Sequence, residues 1–155
     1  MVRKLSVIIL VNLLIVPVSG QEEEPKNTFI NGIPKNSVYA ELGGNGMFAS
    51  LNYERILALS EKAALAPRVG FGFWEVPLPL LELTLLGGGK HAFETGPGIT
   101  WMPGSGSFVV TARAGYRFMG KKGLLIRAAP MLWLGINEGS TQPLFHFGIS
   151  AGYSF

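Results

Sequence analysis

The chain has 155 residues, no cysteine and a formal net charge of +3 at pH 7. This length suits one domain of ordinary size. The absence of cysteine excludes disulfides, thiolate metal sites and a lipid-bearing N-terminal cysteine. Because Lys and Arg form no block in the sequence, nucleic acid is not an expected partner.

The first twenty residues have the composition of an export signal. Arg3 and Lys4 precede an apolar run over residues 7–18, which ends in the small residues Ser19 and Gly20. We expect a secretory signal peptide over residues 1–20, cleaved after Gly20, and a periplasmic segment over residues 21–36. A retained membrane anchor is the alternative, but the apolar run is shorter than the roughly 20 residues of a spanning helix.

Beyond residue 36, segments of strand-like composition alternate with short breaks rich in Gly, Pro, Ser or Lys. The predicted limits of the eight segments are 37–44, 46–56, 63–73, 79–87, 90–102, 107–118, 123–134 and 143–155. The breaks at 43–46, 87–90 and 103–106 have the glycine-rich composition of tight hairpin turns. The pattern predicts an all-β fold, an eight-stranded antiparallel up-and-down transmembrane β-barrel over residues 37–155.

Alternate residues divide the predicted strands into two faces of different chemistry. One face is apolar and aromatic, with charge only near strand ends. The other face interleaves glycine with eight charged residues, namely Glu41, Glu54, Arg68, Glu82, Glu94, Arg113, Arg117 and Arg127. Since glycine weakens an exposed strand but relieves crowding in a narrow barrel, we expect the charged face to line the lumen. The alternative is a soluble barrel with an apolar interior.

Aromatic residues of the apolar face lie towards the strand ends, as expected where rings meet lipid headgroups. The predicted aromatic girdles consist of Tyr53, Phe93, Tyr116, Tyr153 and Phe155 at one rim and of Phe71, Phe73, Trp101, Phe108 and Phe145 at the other. Three prolines on the same face, Pro67, Pro97 and Pro130, each remove a ladder donor. We expect local bulges at these prolines, above all at residues 96–98.

The eight charges predicted to face the lumen are four Glu and four Arg, which is a balanced set. Counting outward from the turns places Glu94 near Arg117 and Arg68 near Glu82. Because Glu82 and Glu94 fall almost opposite each other, both require Arg neighbours. The sequence therefore favours a salt-bridged plug over a proton or ion path, since eight strands leave room only for side chains or one small ligand.

Catalytic signals are few. The chain has two histidines and no aspartate, which removes Asp–His pairs. His146 and Ser150 share one face of the last strand, but four residues at about 3.3 Å each separate them by roughly 13 Å. The His-x-Ser pattern of lipid A deacylases fails here, because Gly148 occupies the serine position. We expect no catalytic site, no metal and no cofactor.

The last predicted strand alternates apolar and small residues up to a final aromatic residue, Phe155. This segment resembles the C-terminal signature of bacterial outer-membrane barrels, which implies an insertion signal formed by Ile149, Ala151, Tyr153 and Phe155. With residues 36–46 and 51–55, it makes nearly all of the chain after the export signal similar to small OmpA/OmpX-like barrels of diderm bacteria. The resemblance implies a fold and a location, and it lends no catalytic residues.

We therefore expect a monomer in the cell outer membrane whose partners are lipid and the barrel assembly machinery. Its expected role is non-enzymatic, in envelope structure or interaction. A barrel that binds or transports a small ligand is one alternative, and it requires incompletely paired lumen charges. A lipid-modifying enzyme is another, and it requires a Ser or Glu within hydrogen-bond reach of His91 or His146.

With both termini in the periplasm, the turns at 58–62, 87–89 and 120–122 would also face the periplasm. The outer loops would then be 43–46, 74–78, 103–107 and 135–142. None of these loops is long enough to build a large adhesive surface.

Overall fold

The computed structural model describes residues 34–120, 122–136 and 143–155, with the side chains of 135 and 136 left aside. The predicted signal peptide and nearly all of the segment 21–36 lie outside the described residues. The strands are β1 (Asn36–Gly43), β2 (Ala49–Arg55), β3 (Leu57–Ala58), β4 (Ala63–Phe73), β5 (Pro77–Gly88), β6 (His91–Met102), β7 (Ser107–Met119), β8 (Leu124–Ile136) and β9 (Pro143–Ser154). A single 3₁₀ turn, η1 (Gly44–Gly46), joins β1 to β2. No helix long and apolar enough to cross a membrane occurs within the described ranges.

The strands form one closed antiparallel barrel, as the sequence predicts. Strands β4 to β9 each pair with their neighbours along the chain, β1 pairs with β2 and β9, and β2 also pairs with β4. The short strand β3 continues β2 beyond Ile56 and pairs with the same strand, β4. Because β2 and β3 together count as one strand of the wall, the barrel is eight-stranded. The first and last strands meet at one end of the barrel, where the Phe155 N–H donates to the Asn36 carbonyl at 2.8 Å. We call this end the termini end and the other the opposite end.

Every strand places alternate side chains inside and outside the barrel, which follows from the two-residue period of a strand. In β5, for example, Leu81, Leu83 and Leu85 are 40%, 44% and 46% exposed, whereas Glu82 and Thr84 between them are 5% and 0% exposed. The apolar face predicted from the sequence is therefore the outer surface, and the charged, glycine-rich face is the inner one.

The turn between β1 and β2 folds into the barrel instead of extending β2. The second strand was expected to begin at residue 46, but it begins at Ala49, because η1 enters the lumen and all three of its residues are buried. The chain makes this inward turn through positive φ angles at Gly43 (69°) and Gly44 (68°), which glycine adopts without steric cost.

The bulges expected at the three prolines are absent. At Pro97, the β5–β6 ladder is interrupted between the pairs Glu82↔Gly98 and Leu85↔Thr95, which have the same register, so no residue is inserted. The ladder with β7 continues without a break through Pro97↔Ala112.

The other two prolines follow the same arrangement. Pro67 pairs with Leu83 and lies at a gap facing β2 and β3, and Pro130 pairs with Phe147 and lies at a gap facing β7. A strand residue directs its N–H towards only one of the two neighbouring strands. The missing N–H of proline therefore interrupts the hydrogen-bond ladder on that side alone, and the register does not change.

Candidate functional site

The candidate site is the lumen, where the structure brings the eight charged residues together. Each of these side chains belongs to a residue that is at most 5% exposed. They are Glu41 in β1, Glu54 in β2, Arg68 in β4, Glu82 in β5, Glu94 in β6, Arg113 and Arg117 in β7, and Arg127 in β8. We call this set the lumen cluster.

Glu94 lies at the centre of the lumen cluster and contacts three guanidinium groups. Its carboxylate is 2.9 Å from Arg117 Nε, 2.8 Å from Arg127 Nη2 and 3.3 Å from Arg113 Nη1. Arg117 also binds Glu54 in a fork, with Nη1 donating to Oε1 and Nη2 donating to Oε2 at 2.8 Å. Such two-bond contacts between guanidinium and carboxylate fix both groups in orientation.

A second part of the cluster is built around Glu41 and Glu82. Arg68 Nη2 is 2.5 Å from Glu41, and Arg68 Nη1 is 3.3 Å from Glu82. Arg113 joins the same two carboxylates, with Nη2 at 2.7 Å from Glu41 and Nε at 3.2 Å from Glu82. The Arg113 Nε contact is electrostatic only, because its N–H is not aimed at an acceptor.

Every member of the lumen cluster has at least two partners of opposite charge. The neighbours derived from the strand register, Glu94 with Arg117 and Arg68 with Glu82, are both in contact. Arg113 and Arg127 lie between Glu82 and Glu94, as the near approach of two carboxylates requires. Burial without pairing would carry a large desolvation cost, so the charge balance makes this arrangement tolerable.

Tyr39 belongs to the site, although the sequence reasoning did not include it. The residue is 2% exposed, and two guanidinium groups lie over its ring, with Arg127 Cζ at 4.9 Å and Arg68 Cζ at 5.4 Å from the ring centroid. Arg127 Nη1 donates to the Tyr39 hydroxyl, which in turn donates to Glu54 at 3.5 Å. The signal was available, since Tyr39 shares its strand face with Glu41.

Gly152 lies opposite Tyr39 on the neighbouring strand β9. A Cβ at Gly152 would lie 2.3 Å from both Tyr39 Cβ and the Val38 carbonyl oxygen. A glycine at this position of β9 therefore allows the close approach of β1 at Tyr39.

The inward turn η1 extends the polar network towards the opposite end. Asn45 Nδ2 donates to Glu82 at 2.5 Å, and Thr100 Oγ1 donates to the Asn45 carbonyl at 2.8 Å. A Cβ at Gly98 would lie 2.5 Å from Asn45 Nδ2, and a Cβ at Gly72 would lie 2.7 Å from the Gly46 backbone. Glycines of the inner face thus make the cavity that η1 fills.

Buried apolar side chains lie on both sides of the charges. At the termini end they are Ile56, Ala64, Ala66, Leu86, Ala92, Met119 and Leu125. At the opposite end they are Val109, Met131 and Trp133, with Met47 and Met102 packed against them. The lumen cluster therefore lies between two apolar layers.

The aromatic residues predicted to form girdles lie on the outer surface near the two ends of the barrel. Their exposed fractions range from 44% for Tyr116 and Trp101 to 73% for Phe93 and 83% for Phe145, and Tyr53 is half-buried. Phe71, Phe73 and Phe108 are 57%, 50% and 45% exposed at the opposite end. Phe48 and Trp74, which the sequence reasoning did not include, stack there with centroids 5.0 Å apart.

The four residues of the predicted insertion signal all point outward from β9. Ile149 is 54% exposed, Tyr153 and Phe155 are each 58% exposed, and Ala151 is also exposed. They form one apolar strip beside β1 and β8.

The two histidines occupy opposite ends of the barrel. His91 Nδ1 is hydrogen-bonded to the Tyr116 hydroxyl on the outer surface. His146 Nε2 is 3.3 Å from the Met47 carbonyl, and its ring lies 4.8 Å from that of Trp133. Within the described part of the chain, no group of three His, Cys, Asp or Glu side chains is placed to hold a metal ion.

No family model matches this chain, and no curated protein or solved structure is significantly similar to it. The fold and the site together define a closed eight-stranded antiparallel barrel with an apolar outer surface and an ion-paired interior.

Proposed function

We propose that this chain is an integral outer-membrane β-barrel with a sealed, salt-bridged lumen and a non-enzymatic role in envelope structure or interaction. The observation that carries the proposal is that charged residues face the interior of the barrel and apolar residues face outward, the reverse of a soluble protein. Charged residues such as Glu54, Arg117 and Arg127 are at most 1% exposed, while Leu83, Phe93 and Phe145 are 44%, 73% and 83% exposed.

An apolar belt of this extent suits lipid better than water. Soluble monomers rarely expose contiguous apolar patches larger than a few hundred Å², whereas here every strand contributes apolar residues to the outer surface. The alternative of a soluble barrel needs an apolar interior, and the interior of this barrel holds the lumen cluster.

The height of the barrel also fits a bilayer. Strand β7 has 13 residues. At about 3.3 Å per residue and a tilt of about 40°, such a strand rises about 30 Å along the barrel axis. This exceeds the apolar band of about 25 Å in outer-membrane barrels, which leaves the strand ends at the headgroup level.

A sealed lumen argues for a structural role over transport. A barrel that admits a small ligand needs lumen charges with free binding capacity, and every member of the lumen cluster is already paired. The two apolar layers separate these charges from water at both ends. The proposed barrel therefore conducts no ions.

The enzyme alternative lacks the contact that it needs at either histidine. The described hydrogen bonds of His91 and His146 go to the Tyr116 hydroxyl and to the Met47 carbonyl. Neither contact is with the Ser or Glu that this alternative requires beside a histidine.

The proposal includes export by residues 1–20, recognition of Ile149, Ala151, Tyr153 and Phe155 by the barrel assembly machinery, and a monomer surrounded by lipid. The closed fold and the outward strip on β9 support it, as does the resemblance to small OmpA/OmpX-like barrels.

Cell fractionation with a heat-modifiability gel tests the proposal. The full chain is expressed in a diderm bacterial host, and outer-membrane, periplasmic and cytoplasmic fractions are run with and without boiling. We expect the protein in the outer membrane, with a mobility that changes on boiling because a closed barrel unfolds only when heated. Recovery in the soluble periplasm would overturn the proposal, and ion conductance by the purified barrel in planar bilayers would overturn its sealed lumen.

A further inference from the structure

Charge outside the lumen is distributed unevenly along the barrel axis. In the described turns and strand ends, the termini end carries Lys35, Arg55, Glu61, Lys62, Lys90 and Lys122. The described turns of the opposite end carry one charged residue, Glu75. The termini end is therefore basic, and the described part of the opposite end is slightly acidic.

The basic residues of the termini end are distributed around the barrel circumference. Backbone hydrogen bonds place them at separate seams: the Lys62 carbonyl accepts from Gly88 at the β4–β5 seam, and the Lys90 carbonyl accepts from Met119 at the β6–β7 seam, each at 2.8 Å. Arg55 pairs with Asn36 at the β1–β2 seam, and Lys122 lies in the β7–β8 turn. We call Arg55, Lys62, Lys90 and Lys122 the basic collar.

The basic collar borders the apolar belt, and its lysines are free to bind an anion. Lys62, Lys90 and Lys122 are exposed and form no ion pair with a described carboxylate. Within the described chain, these lysines therefore do not serve to neutralise a neighbouring carboxylate.

One sector of the collar carries a cluster of polar and aromatic groups that contact one another. His91 and Tyr116 are hydrogen-bonded on the outer surface, and the His91 ring lies 5.2 Å from that of Phe118. Lys90 Nζ lies 5.1 Å from the centroid of the same Phe118 ring. An ammonium and an imidazole thus both lie beside the Phe118 ring, and a phenol is hydrogen-bonded to the imidazole, where the apolar belt ends.

We propose that the basic collar binds the phosphate groups of anionic phospholipids, with Lys90 and the neighbouring His91 and Tyr116 as one subsite. This inference rests on the proposed function, because lipid phosphates lie beside the collar only if the belt is in a bilayer. Lysine binds phosphate as a point charge, and juxtamembrane basic residues are attracted to anionic leaflets. Because the described opposite end has no basic residue, the preference is confined to the leaflet at the termini end.

The test is electron spin resonance with spin-labelled lipids on the refolded barrel in phosphatidylcholine vesicles. Spin-labelled phosphatidylglycerol and phosphatidylcholine are compared for the fraction immobilised at the protein surface. Both leaflets have one composition, so mixed orientations do not affect the result. We expect the anionic probe to associate at least about two-fold more strongly, since one lysine near an anionic surface contributes up to about five-fold.

Two variants and one change of buffer isolate the collar. The K62Q/K90Q/K122Q variant is expected to lose the preference, and the E75Q variant at the opposite end is the matched control that keeps it. Raising salt from about 0.02 M to about 0.5 M is expected to reduce the preference, because exposed charges are then screened. Tyr116→Phe keeps the ring and removes the hydroxyl, and it is expected to weaken the preference partly.

The heat-modifiability gel is run on the same vesicles and separates the two possible failures. A chain that does not fold into vesicles counts against the proposed membrane barrel. A folded, inserted barrel that binds both probes equally, or a triple variant that keeps the preference, counts against the collar.

Discussion

The Glu94→Gln substitution removes one negative charge from the centre of the lumen cluster. Glu94 has three guanidinium groups within 3.3 Å, those of Arg113, Arg117 and Arg127. Glutamine has nearly the same shape, but its amide oxygen carries no charge, and its amide nitrogen is a donor that faces other donors. The lumen of the variant therefore holds one uncompensated positive charge.

The expected loss of stability follows from burial. Removing one partner from a buried ion pair costs about 3–5 kcal/mol, because the remaining charge stays desolvated. With a urea m-value of about 2 kcal/mol/M, a loss of about 4 kcal/mol moves the unfolding midpoint down by about 2 M. We would measure urea unfolding of the refolded barrel in lipid vesicles, following the fraction that shows the folded mobility on an unboiled gel.

Two further variants show whether charge is the cause. Glu75→Gln removes a carboxylate from an exposed turn at the opposite end, and the expected change is at most about 1 kcal/mol. The double variant E94Q/R113Q restores a neutral lumen, so its loss is expected to be smaller than the sum of the two single losses. If Glu94→Gln unfolds within about 1 kcal/mol of the unsubstituted chain, water reaches these charges and the sealed lumen is wrong.

Three other substitutions test separate parts of the account. Ala112→Arg places a charge at mid-height on the outer surface and is expected to cost about 2–4 kcal/mol in vesicles, and an unchanged unfolding midpoint would contradict lipid contact there. Deleting Phe155 is expected to lower the outer-membrane level of the protein in cells, with Phe155→Tyr as a control that keeps a terminal aromatic ring; equal levels would remove the C-terminal insertion signal. Gly72→Ala puts a Cβ 2.7 Å from the backbone of η1 and is expected to lower unfolding stability by about 1–3 kcal/mol. Gly104→Ala, with nothing within 4 Å, is its control, and equal stability of the two variants would mean that η1 does not occupy the lumen.

The strands and their faces were predictable because both depend on local pattern. A two-residue period assigns every side chain to a face, and short glycine-rich turns fix the register of neighbouring strands. Arg68 therefore pairs directly with Glu82, and Glu94 lies two residues beyond Ala92, the partner of Arg117, on the same face of the strand. These contacts need no knowledge of how the barrel closes.

Contacts across the lumen were not predictable in the same way. Arg117 binds Glu54 and Arg113 binds Glu41 from strands that are not adjacent to theirs. Such pairs depend on the stagger and diameter of the closed barrel, which a list of strands does not contain. The direction of the turn at 43–46 could not be predicted either, since glycine permits both an inward and an outward path.

The prolines show a limit of a different kind. Proline was expected to force a bulge because it removes a ladder donor, but the loss falls on one side of the strand only. At Pro67, Pro97 and Pro130 the other ladder stays continuous and holds the register. Whether a proline forces a bulge therefore depends on the residue pairs around it. Those pairs are set by the arrangement of the whole sheet, which the local sequence does not contain.

The most direct test of lipid contact is a spin-label accessibility scan along the outer face of β7. The chain has no cysteine, so single cysteines at Phe108, Val110, Ala112, Ala114 and Tyr116 each carry one nitroxide. In vesicles, we predict that collisions with apolar oxygen are most frequent and collisions with a water-soluble nickel complex least frequent near Ala112, with the opposite trend towards both strand ends. Uniform access of the nickel complex to all five positions would place this surface in water and would contradict the account.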